Sequence, residues 1–304
     1  MYRITFLILS IIIITACSDG KNVEQVGVFG SKGNGQGQFR YVEDFAFDGR
    51  GHVLITDALN SNVQVFSLAG EYISSFGGKG YHSGNLEKPE GIAIDPQGNI
   101  FVADYLSGFI KKYDSNYQHL LTFSGYGVNR GLTAETEFMT IHSNGLLYVP
   151  EAGNHRISVF NLNGDFKYSF GEKGSLPGQL LRPEAVKHNS KGILFVSDMG
   201  NHRIQLFAPD GKLITGWGSE GSEPGQFKKP TGIAIDEHDN VYVADIGNSR
   251  IQKFSADGEF LYLFGEHGEG DKQFGNIHGL GYYQGHLYVA DTANNRVQKY
   301  KVSE

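Results

Sequence analysis

An all-β fold, a six-bladed β-propeller with four-stranded antiparallel blades closed by the N-terminal strand, is what this sequence predicts, on three observations. A ten-residue word led by an acid recurs six times, from Asp57, Asp104, Glu151, Asp198, Asp245 and Asp291, at intervals of 47, 47, 47, 47 and 46 residues. Each unit is cut by Gly, Asn and Asp into short, partly alternating apolar runs with no sustained helical period, which gives four strands and no helix. The chain also stops just after the third strand of the sixth unit, while "EQVGVFG" at Glu24 repeats the form of the fourth-strand word "EYISSFG" at Glu71. The N-terminal strand is therefore expected to complete the last blade, pairing the chain ends and removing an exposed edge.

Taken in order, the chain begins with a head bearing Arg3 and an apolar run from Ile4 to Ile14. That run is well short of the roughly 20 residues that span a bilayer, so it reads as a cleaved export signal. Ile14-Thr15-Ala16-Cys17 resembles the bacterial lipobox, which implies that residues 1–17 are a leader and that Cys17 is lipidated. Several acyl chains at about 0.8 kcal/mol per buried methylene would hold a soluble domain at a membrane. Residues 18–24 then form a polar tether and residues 25–304 the propeller. Cys17 is the only cysteine, so no internal disulfide forms and no cysteine nucleophile is present in the propeller. A net charge of −7 without a basic cluster excludes a nucleic-acid surface.

The unit parses most clearly around Trp217. Gly232 to Asp236, Val241 to Asp245, Arg250 to Ser255 and Phe260 to Phe264 are its four strands. A second set of words joins the units: "FGSKGNGQGQF" at Phe29, "FGGKGYHSGNL" at Phe76, "FGEKGSLPGQL" at Phe170 and "WGSEGSEPGQF" at Trp217. Their glycines allow turns, and their leading aromatic residues are expected to pack between blades. The acid and arginine of "DMGNHRIQLF", Asp198 and Arg203, end the second strand and begin the third, so an ion pair would pin the loop between them. Glu151 with Arg156, Asp245 with Arg250 and Asp291 with Arg296 repeat the pairing. A set present four times is scaffold, and His155 and His202 are variable loop residues within it.

The words "GIAID", "VADIGNSRIQKF" and "FGEKG" followed by "PGQ" closely resemble the NHL repeat over nearly the whole mature chain. The resemblance implies the propeller but not one function, because that family includes enzymes, RNA-binding modules and protein-binding scaffolds. An amidating lyase resembling this family holds zinc with three histidines at the start of the first strand of different blades. Only His278, in "NIHGLGYY", matches that position here.

Function is expected where the repeat is broken. Asn62 and Phe109 replace the arginine, leaving Asp57 and Asp104 without their default partners, and the third unit loses its glycine word. Tyr105, Phe109, Tyr126 and Arg130 are expected to cluster on one face above blades two and three. Just before the first strand of each blade stand Glu43, Glu90, Glu137, Glu184, Thr231 and His278. Carboxylates gathered around one axis repel unless a cation, a basic ligand or shared protons compensate them. Turned inward, the four glutamates and His278 are the metal-ligand candidates, suited to a divalent cation such as calcium or to a cationic ligand. Turned outward, they are solvated.

The expected function is an exported, lipid-anchored scaffold of the cell envelope, a monomeric propeller binding a small molecule or an envelope protein through its top face. The alternative is a metal-dependent lactonase, hydrolase or lyase at the acidic mouth, by architectural analogy with six-bladed lactonases. No nucleophile elbow and no phosphate loop supports other chemistry.

Overall fold

In the computed structural model, which describes residues 23–303, six four-stranded antiparallel sheets follow one another around an axis. Each blade runs from its inner strand outward, as in Pro183–His188, Leu194–Asp198, Arg203–Phe207 and Leu213–Trp217 of blade 4. The face carrying the loops between second and third strands and the connections between blades is called the top here. Blade 6 takes its outer strand from the other end of the chain: Val23–Phe29 pairs with Arg296–Val302, with Val23 opposite Val302 and Phe29 opposite Val297. The closure expected from the sequence is thus present, and it begins at Val23, inside the segment expected to be tether.

Aromatic residues at the end of each outer strand lock the ring. Phe29, Phe76, Phe123, Phe170, Trp217 and Phe264 meet Phe66, Tyr113, Phe160, Phe207, Phe254 and Tyr300 of the next blade at centroid separations of 5.1, 4.9, 5.4, 5.1, 5.6 and 5.3 Å. Each such pair contributes about 1 kcal/mol beyond its buried area. The inner strands approach so closely that a Cβ on Gly91, Gly232 or Gly279 would strike the backbone of Glu137, His278 or Glu43 on the neighbouring blade.

Two local features depart from the plain repeat. Short 3-10 turns, Met199–Asn201 and Ile246–Asn248, interrupt the otherwise all-β pattern at the top loops, ending in left-handed residues His202 and Ser249 at φ 57° and 51°. Blade 3, whose sequence departs furthest from the repeat, keeps only Thr140–Ile141 as inner strand, and Phe138 instead bridges to Ala185 of blade 4.

Candidate functional site

At the rim, each acid–arginine pair staples two loops. Asp198 accepts the Arg203 Nε–H at 2.8 Å and the backbone N–H of Leu181 at 2.7 Å. Arg203 in turn donates to the carbonyls of Ser175, Leu176 and Gln179 on the connection from the preceding blade, at 3.0, 3.0 and 2.9 Å. The pairs Glu151–Arg156, Asp245–Arg250 and Asp291–Arg296 close at 2.8, 2.8 and 2.7 Å, as the repeat requires. His155 and His202 are part of this frame, since their Nδ1 atoms accept the backbone N–H groups of Arg182 and Lys229 at 3.1 and 3.0 Å. Asp57 and Asp104 keep half of the arrangement. Asp57 accepts the N–H groups of Arg40 and Tyr41, and Asp104 those of Glu87 and Ser107.

The expected aromatic cluster is split. The Phe109 ring lies beside Gly125, the Tyr126 backbone passes Gly108, and both residues are exposed. Arg130 instead sits over the Phe166 ring on the outer strand of blade 3, at 5.1 Å. Tyr105 turns toward the axis, where its ring lies 3.8 Å beneath the Lys88 ammonium and its hydroxyl meets Arg182. The reason is chain direction: Tyr105 follows directly on the second strand's acid, while Arg130 lies far out along a connection.

The axial mouth holds the densest chemistry. Glu43, Glu90, Glu184, Thr231 and His278 are the second residues of their inner strands, not the residues before them, and Glu137 alone precedes its shortened strand. The glutamates point inward: Glu43, Glu90, Glu137 and Glu184 are only 1, 4, 4 and 7% exposed. Thr231 spends its hydroxyl on the backbone of blade 6, donating to the carbonyls of Ile277 and His278 at 3.0 and 3.1 Å.

Charge balance follows from the neighbours. His278 Nδ1 meets Glu43 at 3.0 Å; burial works against its charge, yet the Glu43 carboxylate carries its pKa up to about 9. Lys88 Nζ meets Glu90 at 2.5 Å, and Arg182 meets Glu135 at 2.7 Å. Burial, with Glu43 nearby, pushes Glu90 up to about 7, and burial also pushes Glu184 up to about 7. Burial first, then the charges of Glu184 and Glu90, raise the Glu137 carboxyl well above its ordinary value and favour its protonated form beside those carboxylates. His278 and Lys88 thus pair with two of the ring glutamates, Arg182 is shared with Glu135, and the ring members titrate as a set.

This donor set does not fit a resident calcium ion. Calcium asks for six to eight oxygen ligands, whereas Glu43 is committed to His278 and Glu90 to Lys88. Among the described residues, no group of three His, Cys, Asp or Glu side chains is arranged to hold a metal ion. Sequence reasoning found the acids but missed Tyr41, Lys88, Glu135 and Arg182, which line the same mouth. Each stands two residues ahead of a mouth acid, so reading that position around the ring would have found them.

The NHL repeat family matches residues 227–254 and 274–300, the stretches that carry most of blades 5 and 6. Among solved structures, a protein of unknown function from Bacteroides thetaiotaomicron superposes with a TM-score of 0.69 at 18% identity, over 93% of this chain and 76% of that one. Virginiamycin B lyase from Staphylococcus aureus gives 0.65 at 14% identity, over 92% and 99%. A gluconolactonase from Xanthomonas campestris gives 0.65 at 14% identity, over 88% of each chain. At these identities the likeness is one of fold alone. No curated protein matches the sequence.

Proposed function

We propose that this NHL-repeat six-bladed propeller is a binding module of the cell envelope, anchored through a lipid on Cys17, whose axial mouth takes a polar ligand or the side chain of a partner protein. The observation that supports this reading is the ring of buried glutamates. The scaffold gains nothing from carboxylates that must share a proton, since Thr231 serves the same position with two hydrogen bonds to the next blade. Such a ring is short of donors, and an amine or amide N–H would take the place of the shared proton. Cys17 lies outside the described residues, and the anchor rests on the sequence.

The test is a thermal-shift screen of the propeller against small polar amines and amides, repeated on a Glu90→Gln/Glu137→Gln variant whose circular dichroism matches the parent. A ligand of the mouth should stabilise the parent by RT ln(1 + [L]/Kd) and leave the variant unmoved. Equal shifts in both proteins would move the site away from the mouth. Acid–base lyase or hydrolase chemistry is the second reading, favoured by the His278–Glu43 pair beside Glu90 and Glu184, whose carboxyl groups titrate near neutrality.

A further inference from the structure

Two blades lack the clamp arginine, and they differ in what has taken over its work. In blade 2, Phe109 stands at the arginine position, and Lys111 stands where blades 4 to 6 carry Gln205, Gln252 and Gln298. Lys111 donates to the carbonyls of Ser83 and Asn85, so a cation of the same blade already serves that loop. In blade 1, Asn62 stands at the arginine position and Gln64 keeps the glutamine position. Asp57 is fully buried there, and its hydrogen bonds come from neutral donors: the backbone N–H groups of Arg40 and Tyr41 and the side-chain amides of Asn60 and Gln64. Burial is the largest influence on its carboxyl and holds it above the usual aspartate range. Asn62 adds an Oδ1 atom that is buried and has no hydrogen-bond partner.

The loop that faces Asn62 nevertheless keeps the form it has where an arginine is present. Gly33 N–H donates to the Phe39 carbonyl at 2.9 Å, as Gly221 does to Phe227 at 3.0 Å in blade 5. Asn60 reaches the Gly33 carbonyl at 2.9 Å, as Asn248 reaches Gly221 at 3.0 Å. In blade 4 the guanidinium donates to carbonyls 28, 27 and 24 residues ahead of Arg203. The same steps back from Asn62 fall on Asn34, Gly35 and Gln38. Arg203 remains 18% exposed in its own clamp, and in blade 1 the facing loop residues Asn34 and Gly35 are exposed, with Asp57 and the Asn62 Oδ1 buried beneath them.

We propose that blade 1 carries a guanidinium socket, in which Asp57, Asn62 and the carbonyls of Asn34, Gly35 and Gln38 bind an arginine-type group supplied from outside the chain. The group occupies the place that Arg156, Arg203, Arg250 and Arg296 fill in blades 3 to 6. It adjoins the axial mouth through Tyr41, whose N–H donates to Asp57, but uses none of the mouth glutamates. A planar fork with several donors matches one carboxylate and a row of carbonyls, and a lysine ammonium does not.

Saturation-transfer NMR on the whole protein tests this with three probes: acetyl-Gly-Arg-Gly-amide, its lysine twin and methylguanidinium. The arginine peptide should give saturable transfer to its Cδ protons, and the lysine peptide should bind about tenfold more weakly. An Asn62→Arg variant should abolish the transfer by filling the socket itself, and its melting temperature should rise by about 2–4 °C. Tighter binding of the peptide than of methylguanidinium assigns the group to a polypeptide partner, and equal binding assigns it to a free guanidinium compound. Absence of saturable transfer, equal binding of lysine and arginine, transfer that survives in Asn62→Arg, or a fall in that variant's melting temperature would each overturn the proposal.

Discussion

At the rim of the disc Asp198 meets Arg203 at 2.8 Å within its own blade, while at the axis burial and the charges of Glu184 and Glu90, which belong to the two neighbouring blades, favour the protonated form of Glu137. Both are acids buried at the repeat interval. The rim solution is complete inside one unit and can be copied, so it recurs four times. The axial solution exists only when all the blades are in place, because its members compensate one another across blade boundaries. Local pairing therefore marks scaffold, and compensation shared between units marks the site.

Both rings depend on closure, so the largest effect should follow from removing it. Deleting residues 23–29 strips the outer strand from Arg296–Val302 and exposes Val297 and Tyr300. The melting temperature, read by circular dichroism, should fall by at least roughly 10 °C. A deletion variant as stable as the parent would refute the role given to this strand.

Smaller, and confined to the rim, is the effect of Arg203→Ala. It leaves Asp198 fully buried with its charge uncompensated, which costs about 3 kcal/mol in urea denaturation. Adding Asp198→Asn should recover part of the loss, because the stranded charge is then gone; no recovery would mean that the pair acts through packing instead.

The same acid-to-amide exchange at the axis should cost least. Burial and the neighbouring carboxylates favour the protonated form of Glu137, so Glu137→Gln should change stability at pH 7 by less than about 1 kcal/mol. The pH profile carries the opposite sign from that of an ordinary paired carboxylate. Glu90 and Glu184 bind protons more tightly folded than unfolded, so their contribution is complete below the ordinary 4.5 and is lost as pH rises through about 7. His278 adds a contribution complete below 6.5 and lost as pH rises through about 9. Stability measured between pH 5 and 9 should therefore decline upward, and a flat profile would show that the ring does not share protons.

Much of this was legible in the sequence because it repeats. The interval of the acids fixed the number of blades, "EQVGVFG" announced the closing strand, and the four arginines found their acids. The mouth was half legible. Glu43, Glu90, Glu137 and Glu184 could be located by counting, but whether they turned inward depends on the strand pleat and on how tightly the inner strands pack. Lys88 and Arg182 escaped notice because they look like ordinary loop cations, and only the inward turn of their strands brings them over the acids. The cluster of Tyr105, Phe109, Tyr126 and Arg130 failed because proximity along an irregular connection does not fix radial position. Tyr105 went to the axis and Arg130 to the outer edge.

The closing strand also gives the disc a polarity. Val302, opposite Val23, donates its N–H to the Gly285 carbonyl in the turn between the first two strands of blade 6, whereas Phe29 ends beside Arg296 on the face of the mouth. The chain therefore enters at the perimeter of the bottom and climbs toward the top. The lipid proposed on Cys17 would therefore join the disc from the edge of the face opposite the mouth and the blade 1 socket.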